Sequence, residues 1–279
     1  MKRFWTRPEW YWNFGQNALP QVEEKTVYLQ YAPAAWEGMT ALFVSDIHLG
    51  PFAGREFARS LAEVIRGVDA QILLLGGDYS EEGELLKFFF ECMAKIAFPL
   101  GKFAVLGNND SECAEKDHLD FCKEAEKGGI RILKNEQAEL HFQGGRILLG
   151  GIDECKWGRP DAKHLFKDAG ENDGRILLSH YPMSLRNKKM FGDIKPEVIL
   201  SGHTHGGQFN LAGFTPYSLG YEAKYRGLSH VKGWRGKELV SSGIGCSKFP
   251  IRIGTRPMIH RIRFEKADSE HVSGVRSFS

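Results

Sequence analysis

Five times along this chain a short apolar run breaks off into a polar turn that carries a carboxylate, an amide or an imidazole. Residues 40–45 (TALFVS) lead into Asp46 and His48, and residues 71–75 (QILLL) into Gly76, Gly77 and Asp78. Residues 102–106 (KFAVL) close on Gly107, Asn108, Asn109 and Asp110, and residues 175–178 (RILL) end at Ser179 and His180. Residues 196–200 (PEVIL) deliver the stretch SGHTHGGQ, with His203 and His205. Unbroken apolar runs of this length are what strands buried on both faces look like. Between the first runs, Phe57, Leu61, Val64 and Ile65 recur at helical spacing, and residues 84–97 read as a second helix. Strand, polar turn, helix and strand in succession imply a largely parallel α/β sheet, and such sheets hold ligands beyond the carboxyl ends of their strands. All five polar turns fall at that edge.

After a further helix over 114–128 the style changes. Short strands at 130–133, 138–143 and 146–150 follow closely, with Gly144 and Gly145 as a hairpin turn. A meander after βαβ units predicts a second sheet packed against the first. Residues 161–169 read as a helix, 237–241 and 258–264 as closing strands, and 22–30 as an edge strand. The expected division is an N-terminal aromatic arm and edge strand over 1–30, one domain over 31–265, and a polar tail over 266–279.

Composition excludes several classes. The 279 residues include 37 basic and 35 acidic side chains, so no nucleic-acid polymer is expected as a partner. A hydrophobic fraction of 42% supports a sizeable core and argues against disorder. Five cysteines without a Cys-x-x-Cys suggest neither a disulfide framework nor a thiolate zinc site, and Cys113 reads as an ordinary buried thiol. The chain lacks an apolar run of membrane-spanning length, on the order of 18 residues, and an apolar signal core, so a cytoplasmic location is expected. The arm complicates that. Residues 1–20 interleave Phe4, Trp5, Trp10, Tyr11, Trp12 and Phe14 with Lys2, Arg3 and Arg7, a pattern that serves either a peripheral membrane contact or a plug for a groove on the same domain.

The strand-end turns collect Asp46, His48, Asp78, Asn108, His180, His203 and His205. Seven nitrogen and oxygen donors exceed what one tetrahedral ion needs and match two ions sharing a bridging carboxylate. If residues 203–205 continue an extended strand, both imidazoles point to one side and face one ion-sized space. Two ions about 3.5 to 4 Å apart can activate a hydroxide and clamp the attacking and leaving oxygens of an in-line displacement at phosphorus.

Asp46-x-His48, Gly77-Asp78, Gly107-Asn108-x-Asp110, His180 and Gly202-His203-x-His205 resemble, in order and spacing, the signature of calcineurin-like metallophosphoesterases. Residues 205–208, with Gly243 and Gly245, look most like the bacterial phosphodiesterase branch that includes lipid-precursor pyrophosphatases. The resemblance implies a two-sheet mixed β sandwich flanked by helices, a four-layer αββα arrangement. It assigns Asp46, His48 and His205 to a first ion, Asn108, His180 and His203 to a second, and Asp78 to both. The cofactors implied are two divalent ions, with manganese, iron and zinc all compatible. The implied activity is hydrolysis of phosphodiester or pyrophosphate bonds in a small phosphorylated substrate by a metal-bridging hydroxide. A lipid-linked nucleotide such as a UDP-acyl-sugar at a membrane surface is the alternative; a phosphomonoesterase or a non-catalytic metal-binding scaffold stands further off.

One position departs from the family. Many members place a proton-donating histidine before the last acid of Gly-Asn-x-Asp, with that acid orienting it; here the pair is Asn109 and Asp110. An amide hydrogen-bonds to a phosphoryl oxygen but is no general acid. His118 is either a substitute acid or a surface histidine. For the substrate, Arg55, Lys224, Arg226 and Trp234 are the candidate contacts. The last three lie in a stretch where Tyr217, Tyr221 and Tyr225 alternate with cations, suited to a nucleotide, an anionic lipid head or plain solvent.

Overall fold

A computed structural model describes residues 12–14, 18–29, 36–182, 194–210, 227–230 and 236–267. In chain order the elements begin with β1 (Trp12–Phe14), β2 (Gln21–Leu29), β3 (Thr40–Val44), α1 (Arg55–Arg66), β4 (Ile72–Leu75) and α2 (Gly83–Ala94). There follow β5 (Lys102–Ala104), α3 (Asn108–Lys116), α4 (Phe121–Lys127), β6 (Arg131–Ile132), β7 (Glu136–Phe142) and β8 (Gly145–Gly151). The last are β9 (Gly174–Leu178), β10 (Val198–Ser201), β11 (Gly227–His230), β12 (Lys237–Val240), β13 (Ile251–Ile253) and β14 (Met258–Lys266).

Two six-stranded mixed sheets form an α/β sandwich. The first has the order β2-β14-β3-β4-β5-β6 and the second β11-β12-β10-β9-β8-β7. Strands β3 to β6 run parallel, so the turns after β3, β4 and β5 open at one edge. Strands β8, β9, β10 and β12 are likewise parallel, which aligns the turns after β8, β9 and β10. The apolar runs are buried on both faces, as read. One face of the first sheet (Phe43, Leu74, Phe103) meets the second sheet (Leu149, Ile176, Leu178, Leu200) in a shared core. Its other face (Leu42, Leu73, Leu75) packs on α1, α2 and α4 through Leu61, Ile65, Leu86, Phe89 and Phe121. Each buried side chain of this size contributes about 1.5–3 kcal/mol. Trp36, in the core shared by the two sheets, packs directly against Gly174, where a Cβ would sit 1.5 Å from the indole.

Several readings shift. Residues 130–133 supply β6 to the first sheet, so the meander proper is β7 and β8. Their turn centres on Gln143 and Gly144, both with positive φ, one residue earlier than the two glycines suggest. The single helix expected over 114–128 is two: His118 takes φ +50°, and Asp120 caps α4 by accepting from the Lys123 N–H at 3.2 Å. The outer face of the second sheet (Leu148, Leu177, Ile199) is covered by Ala162, Leu165 and Phe166. That cover consists of turns instead of the expected helix, because Phe166 has φ +63° and gives its N–H to Gln137 Oε1. Of the arm, residues 12–14 pair antiparallel with β13. Among the described residues no helix is long and apolar enough to cross a membrane.

Candidate metal centre

The five polar turns meet across the seam between the sheets. Asp46, His48 and His205 form one group of potential donors, and Asp78, His180 and His203 a second; within each group the donor atoms lie within 4.8 Å of one another. The groups adjoin. Asp78 Oδ2 stands 3.5 Å from His48 Nε2 and 3.3 Å from His180 Nε2, so one carboxylate oxygen faces both. His48 Nε2 and His205 Nε2 are 3.1 Å apart, and His205 Nε2 is 3.7 Å from Asp46 Oδ1. All but His203 are buried.

Local backbone conformation sets this geometry. Asp46, His48, Asp78, His203 and His205 all take positive φ, between 48° and 67°. Such conformations cost non-glycine residues about 1–3 kcal/mol each and persist only where the surroundings over-determine them. Here they do. Asp46 N donates to Gly77 O (2.9 Å), His48 N to Asp78 O (3.1 Å), and Ile244 N and Gly245 N both to Asp46 O (3.1 and 2.7 Å). Because the backbone is left-handed at both positions, residues 203–205 are no extended strand end, and the two imidazoles enter different groups. Gly107 and Gly202 let the turns close: a Cβ would lie 2.1 Å from Asp78 Oδ1 at the first and 2.3 Å from Asp46 Oδ2 at the second.

The donor set fits divalent ions. His180 Nε2 is buried and has no hydrogen-bond partner among the described residues, while its Nδ1 meets Gly76 O at 2.8 Å. An imidazole held by a carbonyl on one nitrogen, with the other turned to a carboxylate oxygen across an ion-sized space, is oriented as a ligand. His205 shares the first half of that arrangement, with Nδ1 3.2 Å from Gly245 O, while its Nε2 faces His48 Nε2. Burial, then the charge of His180, pushes His203 down to about 3, so its ring is neutral at pH 7. Burial acts against charge on His180 as well, but the carboxylate of Asp78 outweighs it and lifts His180 to about 10. Asp78 itself is held below the ordinary carboxylate range: burial opposes this, and His180 and His48 prevail.

The remaining site candidates divide. Asn108 opens α3, accepting the Tyr181 hydroxyl on Oδ1 (3.1 Å) and donating to Asn109 Oδ1 (3.0 Å). Asn109 gives its backbone N–H to Asp78 Oδ1 (2.9 Å), and its Nδ2 lies 3.2 Å from both Asp78 Oδ2 and His48 Nδ1. Asp110 faces away from this chemistry. Its Oδ2 accepts from Gly107 N (2.8 Å) and Asp78 N (2.7 Å) and its Oδ1 from Tyr79 N (2.8 Å), fixing the turn that carries Asp78. Burial and the neighbouring charge of Asp78 lift it to about 7. Arg55 starts α1 with its guanidinium 4.9 Å from the ring centre of Phe88. His118 is exposed beyond the end of α3. Lys224, Arg226 and Trp234 lie outside the described residues.

A family model for calcineurin-like phosphoesterases matches residues 39–207, the span that contains all seven donors. The chain belongs to the calcineurin-like phosphoesterases. An uncharacterized metallophosphoesterase of Aquifex aeolicus is 30% identical over 246 residues, covering 85% of this chain and 88% of that one. The protein YpbG of Bacillus subtilis is 29% identical over 223 residues, 80% of this chain and 79% of its own. A zebrafish (Danio rerio) transmembrane protein with metallophosphoesterase domain is 26% identical over 89% of this chain and 58% of its own length. As a calcineurin-like phosphoesterase with two groups of candidate donors, the chain is a phosphoric ester hydrolase with a divalent dimetal centre.

Three neighbours of the centre escaped the sequence reading. Tyr181 holds its ring, tilted by 39°, 4.1 Å from that of His203, Glu81 Oε1 approaches His48 Nδ1 at 3.5 Å, and the fully buried Arg252 sits behind His205. Arg252 donates to Gly245 O through Nε (3.0 Å) and to Ser242 O (2.9 Å), and its Nη2 is 3.2 Å from His205 Nδ1. Only Tyr181 had a signal, adjacency to His180.

Proposed function

We propose that this phosphoesterase cleaves phosphodiester or pyrophosphate bonds whose leaving group departs with little protonation. Asp46, His48 and His205 would hold one ion, His180, His203 and Asn108 the other, and Asp78 both. Bound there, two divalent ions supply positive charge for the phosphoryl oxygens and lower the pKa of a water toward neutrality. The chain supplies the positioning: Gly76 O and Gly245 O aim two imidazoles, and Asp110 locks the Asp78 turn.

The observation that carries the choice of bond is Asn109. Its amide is turned toward Asp78 and His48, beside the paired donors, and offers a hydrogen bond to a phosphoryl oxygen where a leaving alkoxide would need a proton. Good leaving groups forgo that help; alkyl phosphomonoesters do not. Asn109→His is therefore expected to raise turnover of an alkyl phosphomonoester by about 10²-fold, the lower bound of positioned acid catalysis. Bis-p-nitrophenyl phosphate should gain far less. Equal gains on both, or none on the monoester, would remove the leaving-group argument; inactivity of the natural protein on the bis-ester with manganese would remove the whole proposal.

A peripheral membrane contact through residues 1–20 is a second reading, favoured by the relative named as a transmembrane protein. Flotation with anionic vesicles tests it, and a protein that stays at the bottom of the gradient sinks it.

A further inference from the structure

Trp157 is the most exposed of the large apolar side chains among the described residues, 61% accessible. Its surroundings hold it still. It lies in the loop after β8, at the edge where β9 and β10 deliver His180 and His203. Inside that loop the buried carboxylate of Glu154 accepts the backbone N–H groups of Lys156 (2.7 Å) and Trp157, and Asp153 accepts those of Glu154 (3.0 Å) and Arg159 (2.7 Å). Asn135 Oδ1 clamps the loop's base through Asp153 N (3.0 Å) and Asp161 N (2.9 Å). The indole is fixed separately. Glu112 Oε1 accepts from Trp157 Nε1 (3.0 Å) and from Lys156 Nζ (2.7 Å), and that ammonium lies 4.8 Å from the indole centre, covering part of one face.

Glu112 links this shelf to the centre. It stands four residues after Asn108 on α3, one helical turn along the same face. Tyr181 donates its hydroxyl to Asn108 Oδ1 (3.1 Å) and holds its ring 4.1 Å from that of His203, so Asn108 is tied to the centre on one side and lies one turn from Glu112 on the other. An indole immobilised at Nε1, braced by a cation and otherwise open to solvent beside a phosphate-cleaving centre has the form of a stacking platform.

We infer that Trp157 is a stacking platform for a planar aromatic group of the substrate, a nucleobase, placed one helical turn from the candidate ligand Asn108. The inference rests on the reading of the centre as a phosphodiester or pyrophosphate hydrolase and narrows its substrate to nucleotide-containing esters. Every base presents a π face, so stacking of this kind tolerates different bases.

The test uses two substrates with one leaving group: the p-nitrophenyl ester of a nucleoside 5′-phosphate and a p-nitrophenyl alkyl phosphate, both with the manganese-loaded full chain. The quantity read is the ratio of their kcat/KM values, in which losses from folding or ion content cancel. Trp157→Ala is expected to lower the ratio about tenfold, the size of one base-stacking contact, through KM on the nucleoside ester. Trp157→Phe should restore most of it. A ratio that Trp157→Ala leaves unchanged, or that Trp157→Phe lowers as far as alanine does, overturns the platform. Inactivity of the natural protein on both esters instead overturns the hydrolase reading beneath it.

Discussion

The two halves of the centre are built from opposite chemistry. The first sheet contributes Asp46, Asp78 and Asn108, oxygen donors, with His48 among them; the second contributes only imidazoles, His180, His203 and His205. Carboxylates are oriented by donors and imidazoles by acceptors, and in each case key partners come from the other half. Asp46 Oδ1 accepts from the backbone N–H of His203 at 2.8 Å, and His180 Nδ1 faces Gly76 O of the first sheet at 2.8 Å. Neither half is therefore pre-formed alone. The centre is a product of sheet docking, stabilised by the shared core and by Trp36 on Gly174.

The strongest way to break this picture is to remove the one group that both halves share. Asp78→Ala is expected to lower kcat/KM by about 10³-fold or more, on the scale of lost electrostatic stabilisation at the reacting centre, with loss of both ions. His203→Ala, on the imidazole side, should leave the ion at Asp46, His48 and His205 in place and cost less. Elemental analysis beside turnover of bis-p-nitrophenyl phosphate separates the two. Equal ion content in both variants would mean that Asp78 is not the shared group.

A smaller effect is expected from the groups behind the donors. Arg252→Met removes the guanidinium that holds Gly245 O and Ser242 O behind His205, and should weaken ion affinity 10–100-fold, roughly as outer partners of metal ligands do. Asp110→Asn acts on the other half. It replaces an oxygen of a carboxylate that accepts three backbone N–H groups, with an expected cost of about 1–3 kcal/mol in stability. Calorimetric titration with manganese and thermal denaturation measure the pair. The asymmetry fails if Arg252→Met changes stability but leaves affinity untouched.

How much of this could be read from the chain follows from where each signal resides. Apolar runs ending in Asp, His or Asn located the strands and their shared edge, because burial on both faces leaves no alternation to misread. Conformation within the turns was hidden: five left-handed residues in one site follow from contacts between turns, and that is why His203 and His205 separate. Arg252 was hidden by its flanks, Ile251 and Ile253, which suggest an apolar strand while the charge occupies the buried position. Trp157 carries no signal of its own in the sequence, since its fixation depends on Glu112, 45 positions away. Helix periodicity over 114–128 and 161–169 could not register His118 and Phe166, whose positive φ breaks each run.

The mildest test uses protons. In the ion-free protein Asp78 holds His180 charged up to about 10, against an ordinary unfolded value near 6.5. A raised imidazole stabilises the fold fully below pH 6.5, and that contribution is lost as pH rises through about 10. An ion needs the lone pair of the same ring and must expel its proton, at a cost that falls by about 1.4 kcal/mol for each unit of pH. His203, by contrast, is neutral already and contributes nothing. Ion affinity should thus climb roughly tenfold per pH unit for each proton expelled, while the ion-free protein becomes less stable over the same range. The rise in Tm produced by saturating manganese should accordingly grow between pH 6.5 and 8.5. A shift in Tm that stays level or shrinks would show that the Asp78–His180 pair carries no proton for the ion to displace, and the two halves would then be coupled by shape alone.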